Sequence, residues 1–411
     1  MTDTPASPRS RQPVHTVYGG AHLFAPDTTA KLGAIALRTL REHAPDADTL
    51  ASALGFSRDL SDQIYPRVVA KLEREPVEDY RLDFEDGFGN RPDDEEDAVA
   101  KQAATHVAEG MKALLLPPAI GIRIKNLGPE MKRRGLRTLQ LFLSTLAEQT
   151  GGVLPANFVI TLPKITAPEQ VTHLTEACEA YESMHIVPGG SLRFEVMIET
   201  PESVFSRDGR IALPDFIARG RGRVTAAHFG TYDYTASMGI TAAHQHMLHP
   251  SCDFAKHVMQ VALAGTDVWI SDGATNIMPV GKDRAGIHAA WKLHADQIRH
   301  SLVGGFYQGW DLHPAQLPTR FAALYAFFLE GLDAASERLK NFVEKAAKAT
   351  LVGDVFDDAA TGQGLLNYFL RAMNCGAITE REAVEMSGLS VAELQSRSFA
   401  AILAGRSRAN T

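Results

Sequence analysis

The sequence predicts an α/β protein built on a (β/α)8 barrel, a TIM barrel, that is followed by a helical segment at its carboxyl end. Three observations support this class. Eight short apolar runs alternate with longer segments of helical period, polar residues recur where each predicted strand ends, and the alternation stops after Pro314. Strands that alternate with helices form parallel βαβ units, and eight such units close into a barrel.

The predicted strands are short and mostly apolar, as expected for strands covered by helices. They are Thr16–Phe24, Tyr80–Glu85, Gly121–Asn126, Phe158–Ile165, Arg193–Thr200, Val224–Asp233, Asp267–Asp272 and Gly305–His313. The segments between them have the spacing of amphipathic helices. These are Thr28–Glu42, Ser57–Arg74, Asp94–Leu116, Leu136–Glu148, Pro168–Met184, Pro214–Ala218, Phe254–Ala264 and Arg284–Leu302.

A polar residue stands near the end of seven of these strands. In chain order they are Glu85, Arg123, Lys164, Glu199, Asp233, Asp272 and His313. Their separations run from 34 residues (Glu199 to Asp233) to 41 residues (Arg123 to Lys164), which is the length of one βα unit. Because catalytic residues of such barrels lie at the carboxyl ends of the strands, this set predicts an active site there.

The pattern changes after Pro314. Pro318–Ala349 is predicted as one long helix or a broken pair, and a stretch rich in Gly and Asp separates it from further helix up to about Ala404. We therefore divide the chain into a disordered tail (1–13), a catalytic barrel (14–320) and a C-terminal helical segment or lid (321–411).

Composition and charge exclude several classes of protein. The net charge of −8 comes almost entirely from Asp83–Asp97, which holds eight acids and one arginine, so no general attraction to nucleic acid is expected. No apolar run is long enough to span a membrane, and the first residues lack the apolar core of a signal peptide. Three widely spaced cysteines fit the reducing cytoplasm and argue against a structural zinc site.

Glu199 and Asp233 form the central pair of the predicted site. They stand one barrel step apart, so their carboxylates should face each other across adjacent strand ends. Two hard oxygen donors, with water and substrate filling the other positions, are how Mg²⁺ is usually held in enzymes. The alternative is that each carboxylate forms an ion pair with a nearby Arg or Lys.

Two cations and two further acids complete the predicted site. Arg123 offers a planar fork for a substrate carboxylate or an enolate oxygen. Lys164 is placed for similar electrostatic work; a Schiff-base role would need a lowered pKa, for which the sequence gives no sign. Glu85 and Asp86 are expected to hold metal-bound water around the pair.

Six segments, in order, resemble the citrate lyase β-subunit and malyl-CoA lyase family. RLDFEDGFG is similar to the family's DLEDAV segment, IGIRIKNLG to its VRIN strand, LPKI to its PK strand and VMIETPES to its IET metal strand. FGTYDYTASMGI resembles the second metal segment, and GFYQGWDLHPAQLP the end of the barrel, with Asp311 where the family usually has an apolar residue. The wider group includes malate synthases and pyruvate-dependent aldolases, and this chain resembles a divergent branch of it.

The resemblance implies roles for particular residues. It implies Mg²⁺, or alternatively Mn²⁺, on Glu199 and Asp233, Arg123 on an enolate oxygen, and Gly230 and Thr231 against the substrate. VFDDAATGQGLLNYF is similar to the malate synthase segment EDAATLR, whose Asp is the catalytic base. This match nominates Asp358, with Asp357 as the fallback; the alternative is that Asp358 caps the helix that begins at Ala359.

The function expected from these residues and the resemblance is a Mg²⁺-dependent carbon–carbon lyase or aldolase. Its substrate would be a 2-oxo or 2-hydroxy acid that reacts through a metal-stabilised enolate, with a coenzyme A thioester as a possible co-substrate. The resemblance also implies a homo-oligomer. Two alternatives are a malate-synthase-like enzyme that condenses an acyl-CoA, and a non-catalytic metal-binding barrel that acts as a regulatory partner.

Overall fold

The computed structural model describes residues 11–185, 187–281, 283–349 and 359–409. The chain forms two compact units: Met1–Ala44 with Val69–Arg320, and Pro45–Val68 with Phe321–Thr411. The predicted barrel domain (14–320) includes residues 45–68, which the structure places in the second unit. Local periodicity predicts a helix there and carries no information about which distant segment the helix packs against.

All eight predicted strands are present, each shorter than predicted. They are β1 (His15–Gly20), β2 (Asp79–Asp83), β3 (Ala119–Arg123), β4 (Phe158–Leu162), β5 (Arg193–Ile198), β6 (Val224–Phe229), β7 (Trp269–Ser271) and β8 (Gly309–Asp311). The polar residues that were expected at strand ends therefore lie mostly in the loops just beyond them.

The strands form one parallel sheet that closes into a barrel. Hydrogen-bonded neighbours follow the order β7-β6-β5-β4-β3-β2-β1-β8. Closure between β7 and β8 depends on a bridge between Ala274 and Trp310. The Trp310 N–H donates to the Gly273 carbonyl at 3.0 Å, and the Asp272 N–H donates to the Gln308 carbonyl at 2.8 Å. The predicted (β/α)8 class is confirmed.

Helices fill the connections and the C-terminal segment. They are α1 (Thr28–His43), α2 (Ala47–Leu54), α3 (Arg58–Arg74), α4 (Asp93–Ala113), α5 (Lys132–Thr150), α6 (Glu169–His185), α7 (Pro201–Val204), α8 (Leu213–Arg219), α9 (Thr231–Ser237), α10 (Pro250–Leu263), α11 (Arg284–Val303), α12 (Leu317–Glu330), α13 (Leu332–Ala349), α14 (Ala359–Cys375), α15 (Glu380–Ser387), α16 (Val391–Ser396) and α17 (Phe399–Ala409). α12 and α13 are separated at Gly331, so residues 318–349 form two helices, which was one of the two predicted alternatives. In the parts of the chain that are described, no helix has the length and apolar character needed to cross a membrane.

The interior of the barrel is charged where apolar side chains were expected. The Arg81 guanidinium lies between two buried carboxylates, donating to Asp79 Oδ1 at 2.7 Å and, through Nε, to Glu195 Oε1 at 2.9 Å. Burial opposes ionisation of Glu195, but the Arg81 guanidinium and His228 hold the pKa of that carboxyl well below its usual range. Gly121 packs beside this cluster, and a Cβ there would lie 2.0 Å from the Val159 carbonyl oxygen and 3.0 Å from Arg81 Nη1.

A second buried cluster explains the unusual Asp311. Its carboxylate is fully buried and contacts His15 Nδ1 at 2.7 Å, Arg320 Nη2 at 2.9 Å and His294 Nε2 at 3.1 Å. Burial raises the pKa of Asp311, but the Arg320 guanidinium and the two histidines outweigh it and hold that pKa well below its usual range. The cluster joins β1, β8, α11 and the start of α12.

Arginines on α5 offset the acidic run at the start of α4. Arg134 Nη2 lies 2.6 Å from Asp97 Oδ1, Arg137 Nε donates to Asp97 Oδ2 at 2.8 Å, and Arg133 Nη2 lies 3.1 Å from Asp93 Oδ2. The acids also lie in the first turn of α4, where the helix dipole stabilises negative charge. The basic patch that the sequence shows at 132–137 is therefore largely engaged within the protein.

The second unit consists of α2, the first part of α3, and α12 from Phe321 onward with α13–α17. Its core contains fully buried Leu366 and Phe369. Arg67 joins the two separate segments of this unit, because its Nη1 donates to the Ala377 carbonyl at 3.0 Å and its Nη2 lies 2.7 Å from Glu382 Oε1.

The predicted tail is wrong for residues 11–13. Gln12 is buried, and its Nε2 donates to Gln308 Oε1 at 3.1 Å and to the Ile270 carbonyl at 3.3 Å. These partners lie at the amino-terminal end of the barrel, a long-range contact that local composition does not reveal. Residues 1–10 lie outside the described residues.

Replacing Arg81 by Leu should destabilise the barrel by about 3–5 kcal/mol, because two buried carboxylates would lose their shared cation. Urea denaturation followed by circular dichroism at neutral pH measures this loss. Arg210→Leu is the matched control, since Arg210 pairs with Asp208 on the exposed surface; its unfolding midpoint should not move. Equal midpoints for the two variants would contradict a structural role for the charged interior.

Candidate functional site

A cleft of about 350 Å³ opens at the carboxyl ends of the strands. Six of the predicted site residues line it, together with an aromatic pair from β1 and β8. The predicted residues are Asp86, Arg123, Glu199, Gly230, Thr231 and Asp233, and the aromatic residues are Tyr18 and Trp310. The strands of the closed barrel therefore bring together residues that are far apart in the chain, at the face where the sequence analysis expected them.

Glu199 lies directly after β5 and is 1% exposed. Its Oε1 accepts a hydrogen bond from the Lys164 backbone N–H at 2.7 Å. Gly230 permits this packing, because a Cβ at that position would lie 2.4 Å from Glu199 Oε2. Burial, followed by the neighbouring Asp233 carboxylate, raises the pKa of Glu199 to about 8.

Asp233 does not end a strand as predicted. β6 ends at Phe229, and Asp233 lies in the first turn of α9, with its side chain 40% exposed. The aromatic and β-branched residues of TYDYT favour a strand by local propensity, but the chain turns at Gly230 and packs as a helix. Asp233 nevertheless lines the same cleft as Glu199.

Lys164 is surrounded by carboxylates. Its Nζ contacts Glu85, lies 3.0 Å from Asp86 Oδ1 and lies 3.3 Å from Asp233 Oδ2. Burial disfavours the ammonium, but the surrounding carboxylates, Glu85 first, raise the pKa of Lys164 above its ordinary value. A Schiff base requires a neutral amine, so the surroundings favour electrostatic work. The backbone at Lys164 is left-handed (φ 48°), a strained conformation of the kind found at functional sites.

Asp83 orients Arg123. The Arg123 guanidinium donates through Nε to Asp83 Oδ1 at 2.7 Å and through Nη2 to Oδ2, and it lies 4.9 Å from the centre of the Tyr18 ring. Asp83 also accepts the backbone N–H groups of Glu85 (2.9 Å) and Gly87 (2.7 Å), so one carboxylate shapes the loop and positions the arginine. This role of Asp83 was not predicted from the sequence. Side chains alternate along a strand, so Asp83 and Glu85 fall on one face, and this was the signal that could have indicated it.

Glu85 and Asp86 form ion pairs with the cations of the cleft, in addition to the predicted role of holding metal-bound water. Arg123 Nη1 lies 3.4 Å from Glu85 Oε2 and 3.7 Å from Asp86 Oδ2. Burial raises the pKa of Glu85 to about 7 although Arg123 and Lys164 oppose it. At Asp86 burial is outweighed by Arg123, its own hydrogen bond with Glu85, and Lys164, so its pKa is lowered.

Two other strand-end residues have structural roles. Asp272 is fully buried; it lies 3.0 Å from Lys256 Nζ and accepts a hydrogen bond from Ser301 Oγ at 2.6 Å. His313 accepts the backbone N–H of Ala315 at 3.1 Å and caps a short 3-10 helix. Asp358 and Asp357 lie outside the described residues, so their predicted role stays a prediction.

The charge balance of the cleft fits a divalent cation. Five carboxylates (Asp83, Glu85, Asp86, Glu199 and Asp233) face the cations Arg123 and Lys164, which leaves a net charge of −3 when all are ionised. Among the residues described, no group of three or more His, Cys, Asp or Glu side chains is arranged to hold a metal ion. The donors would therefore be two carboxylates, with the other positions left to water and substrate, as Mg²⁺ is often held.

Gly230 and Thr231 line the same cleft as Glu199 and Asp233. Thr231 is 2% exposed, and its hydroxyl has no hydrogen-bond partner among the described residues. Buried hydroxyls without a partner are uncommon, so this one is available to a ligand in the cleft. Gly273 permits it to sit there, because a Cβ at 273 would lie 2.4 Å from Thr231 Oγ1.

Another cavity, of about 340 Å³, opens at the amino-terminal end of the barrel, where Asp79, Arg81 and Glu195 line it. These three charges already satisfy one another. The amino-terminal face of such barrels generally serves stability, so the carboxyl-terminal cleft is the better candidate for chemistry.

The chain belongs to the family DUF6986, described as a domain of unknown function, which matches residues 2–402. No curated protein sequence matches the chain.

Solved structures share its fold. A citrate lyase from Burkholderia xenovorans superposes with a TM-score of 0.59 at 19% identity, covering 93% of this chain and 98% of that chain. A malate synthase from Haloferax volcanii in complex with magnesium and glyoxylate superposes with a TM-score of 0.52 at 15% identity, covering 95% of this chain and 99% of that chain. The resemblance predicted from six motifs is confirmed at the level of the fold.

Glu199→Gln should stabilise the metal-free protein at alkaline pH. Below about pH 4.5 the side chain is protonated in both the folded and the unfolded state. As the pH rises towards 8, only the unfolded state ionises, so the wild-type protein loses stability that the Gln variant keeps. Urea denaturation in EDTA at pH 9 should therefore favour the variant by roughly 3–5 kcal/mol, and at pH 5 by much less.

Glu176→Gln on α6 is the control for this comparison, since Glu176 is exposed. Its midpoint should follow that of the wild-type protein at both pH values. A wild-type protein more stable than Glu199→Gln at pH 9 would contradict the burial of an unpaired carboxyl at this position.

Proposed function

We propose that this member of the DUF6986 family is a divalent-metal-dependent carbon–carbon lyase or aldolase that acts on a 2-oxo acid or its aldol adduct. The observation that carries the proposal is the placement of Glu199 and Asp233 beside Arg123, in one cleft with an excess of negative charge. The fold shared with a citrate lyase and with a malate synthase solved with magnesium and glyoxylate supports it.

Glu199 and Asp233 would hold Mg²⁺, or Mn²⁺ in its place. The ion would supply Lewis-acid polarisation of the 2-oxo acid and fix its carboxylate and carbonyl oxygens in one orientation. Glu199 must lose its proton to serve as a ligand, so its raised pKa makes metal binding weaker as the pH falls below about 8.

Arg123 would stabilise the negative charge that develops on the enolate oxygen. Asp83 holds Nε and Nη2, so Nη1 is the nitrogen left towards the cleft, where it lies within 3.7 Å of Asp86 and 3.4 Å of Glu85. A guanidinium held in this way needs little rearrangement when charge develops, which is the condition for effective electrostatic catalysis.

Lys164 would keep the acidic loop and Asp233 in place. Its ammonium lies among three carboxylates and stays charged, so it reduces the repulsion between them while leaving the carboxylate of Glu199 for a ligand. Thr231 would donate or accept a hydrogen bond at the substrate, since its hydroxyl has no other described partner.

A coenzyme A thioester receives less support. Arginines that could bind its phosphates already pair with acids on helices: Arg134 and Arg137 with Asp97, and Arg223 with Glu182 at 2.7 Å. Binding a phosphate there would require breaking ion pairs that are already formed. We therefore favour cleavage of a free acid over an acyl-CoA condensation.

Asp233→Asn should abolish the stabilisation of the protein by Mg²⁺ with oxalate or pyruvate, and should abolish turnover. A ligand that binds only the native state raises the melting temperature by mass action, and the shift grows with the ratio of ligand concentration to Kd. Thermal unfolding with and without Mg²⁺ and oxalate measures the effect. Asp208→Asn, an exposed surface change, is the control and should keep the wild-type shift. A full metal-dependent shift in Asp233→Asn would contradict the assignment.

Asp358→Asn should lose turnover while keeping the Mg²⁺-dependent thermal shift, because the resemblance assigns Asp358 to proton transfer and not to metal binding. Exchange of the C3 protons of pyruvate in D₂O, followed by NMR, gives the readout. Asp357→Asn is the matched control and should exchange at the wild-type rate. Full exchange in Asp358→Asn with loss in Asp357→Asn would transfer the role to the fallback residue.

A further inference from the structure

We infer that the substrate carries one negative charge only, on its 2-oxo acid group, and that the part released as the second product is an uncharged, largely apolar aldehyde. The inference rests on the proposed function and narrows it to 4-hydroxy-2-oxo acids with a neutral tail. Two independent features of the cleft carry it: its charge, and the chemistry of the wall opposite the carboxylates.

The cations at the cleft already have more than enough anionic partners. Arg123 contacts Asp83, Glu85 and Asp86. Lys164 contacts Glu85, Asp86 and Asp233. With all five carboxylates ionised, a divalent ion would change the net charge only from −3 to −1, so a second carboxylate or a phosphate on the substrate would enter a site of like charge. Like charges brought together at a binding site oppose binding strongly.

The opposite wall is apolar. It consists of Tyr18, Trp310, Leu312 and Ala274, with Tyr232 beside them. The rings of Tyr18 and Trp310 lie 4.7 Å apart and form a continuous surface. Such a surface binds hydrocarbon or aromatic groups and offers no ion pair to an anionic group.

Two polar groups of this wall are used within the protein, whereas the Tyr18 hydroxyl is buried and has no partner among the described residues. Trp310 Nε1 donates to His228 Nδ1 at 3.2 Å. The Tyr232 hydroxyl donates to the Ala274 carbonyl at 2.9 Å and accepts the Asn276 N–H at 2.9 Å. The Thr231 hydroxyl, in contrast, has no described partner, and as a neutral group it suits the C4 hydroxyl or the aldehyde oxygen of such a substrate.

The reaction balances without a further reactant. The C3–C4 bond of the 4-hydroxy-2-oxo acid breaks, and its electron pair passes to C3 and the C2 oxygen as an enolate. The C4 hydroxyl loses its proton and becomes the aldehyde carbonyl. A proton returns to C3, which gives the 2-oxo acid and one neutral aldehyde.

A matched pair of aldehydes tests the inference in the direction of synthesis. The full-length protein is incubated with Mg²⁺ and pyruvate and with either butanal or succinic semialdehyde, which have the same chain length and differ by a terminal carboxylate. We expect kcat/KM for butanal to exceed that for succinic semialdehyde by about tenfold or more, because the second charge meets the anionic cleft.

Leu312 offers a second test, because it lines the cleft and is 39% exposed. Leu312→Lys adds a cation to a cleft with an excess of carboxylates and should raise kcat/KM for succinic semialdehyde, relative to butanal, by about tenfold over Leu312→Met, a neutral control of similar volume. Both variants are first checked for a wild-type melting temperature.

The proposed function and this inference can fail separately. Mg²⁺-dependent exchange of the C3 protons of pyruvate in D₂O reports enolate formation without any aldehyde; its absence would overturn the proposed function and the inference with it. If exchange occurs, three results would each overturn the inference alone. The protein could prefer succinic semialdehyde, it could consume neither aldehyde, or Leu312→Lys could leave the preference unchanged. Exchange with the expected preference supports both.

Discussion

The carboxylates around the cleft outnumber the cations that face them, and this excess of negative charge decides how the cleft is used. Burial is the first cause that raises the pKa of Glu199 to about 8, and this excess of negative charge is the second. The same excess keeps the Lys164 ammonium charged. The proposals of a bound divalent cation and of a substrate with a single anionic group are both based on it. The metal, the arginine role and the substrate class proposed above all depend on this single imbalance.

The buried charges elsewhere in the barrel show the opposite arrangement. Arg81 is shared by two carboxylates, and Asp311 accepts from Arg320 and contacts two histidines. In both clusters every carboxylate has a close donor, so the charges fix strand register and barrel closure without binding a ligand. The cleft differs in its charge balance, because its carboxylates also have donors but five of them face only the two cations Arg123 and Lys164.

Much of the site was predictable from the chain because a barrel repeats its geometry. Once Arg123 and Glu199 were placed at the ends of the third and fifth strands, the closed sheet had to bring them to one face. The prediction for Asp233 was right about the cleft and wrong about the element, since the chain leaves β6 at Phe229 and forms α9. Local propensity favours a strand in TYDYT, and only the turn at Gly230 and packing on the barrel decide for a helix.

The sequence by itself determined the eight-unit barrel, the order of its site residues and the family resemblance, because periodicity and spacing are local properties. Only the tertiary structure decided which charges meet: that Asp83 orients Arg123, that Lys164 is shared by three carboxylates, and that Gln12 and residues 45–68 join distant parts of the chain. Ion pairing and burial depend on distances across the fold. A pattern read along the chain does not contain them.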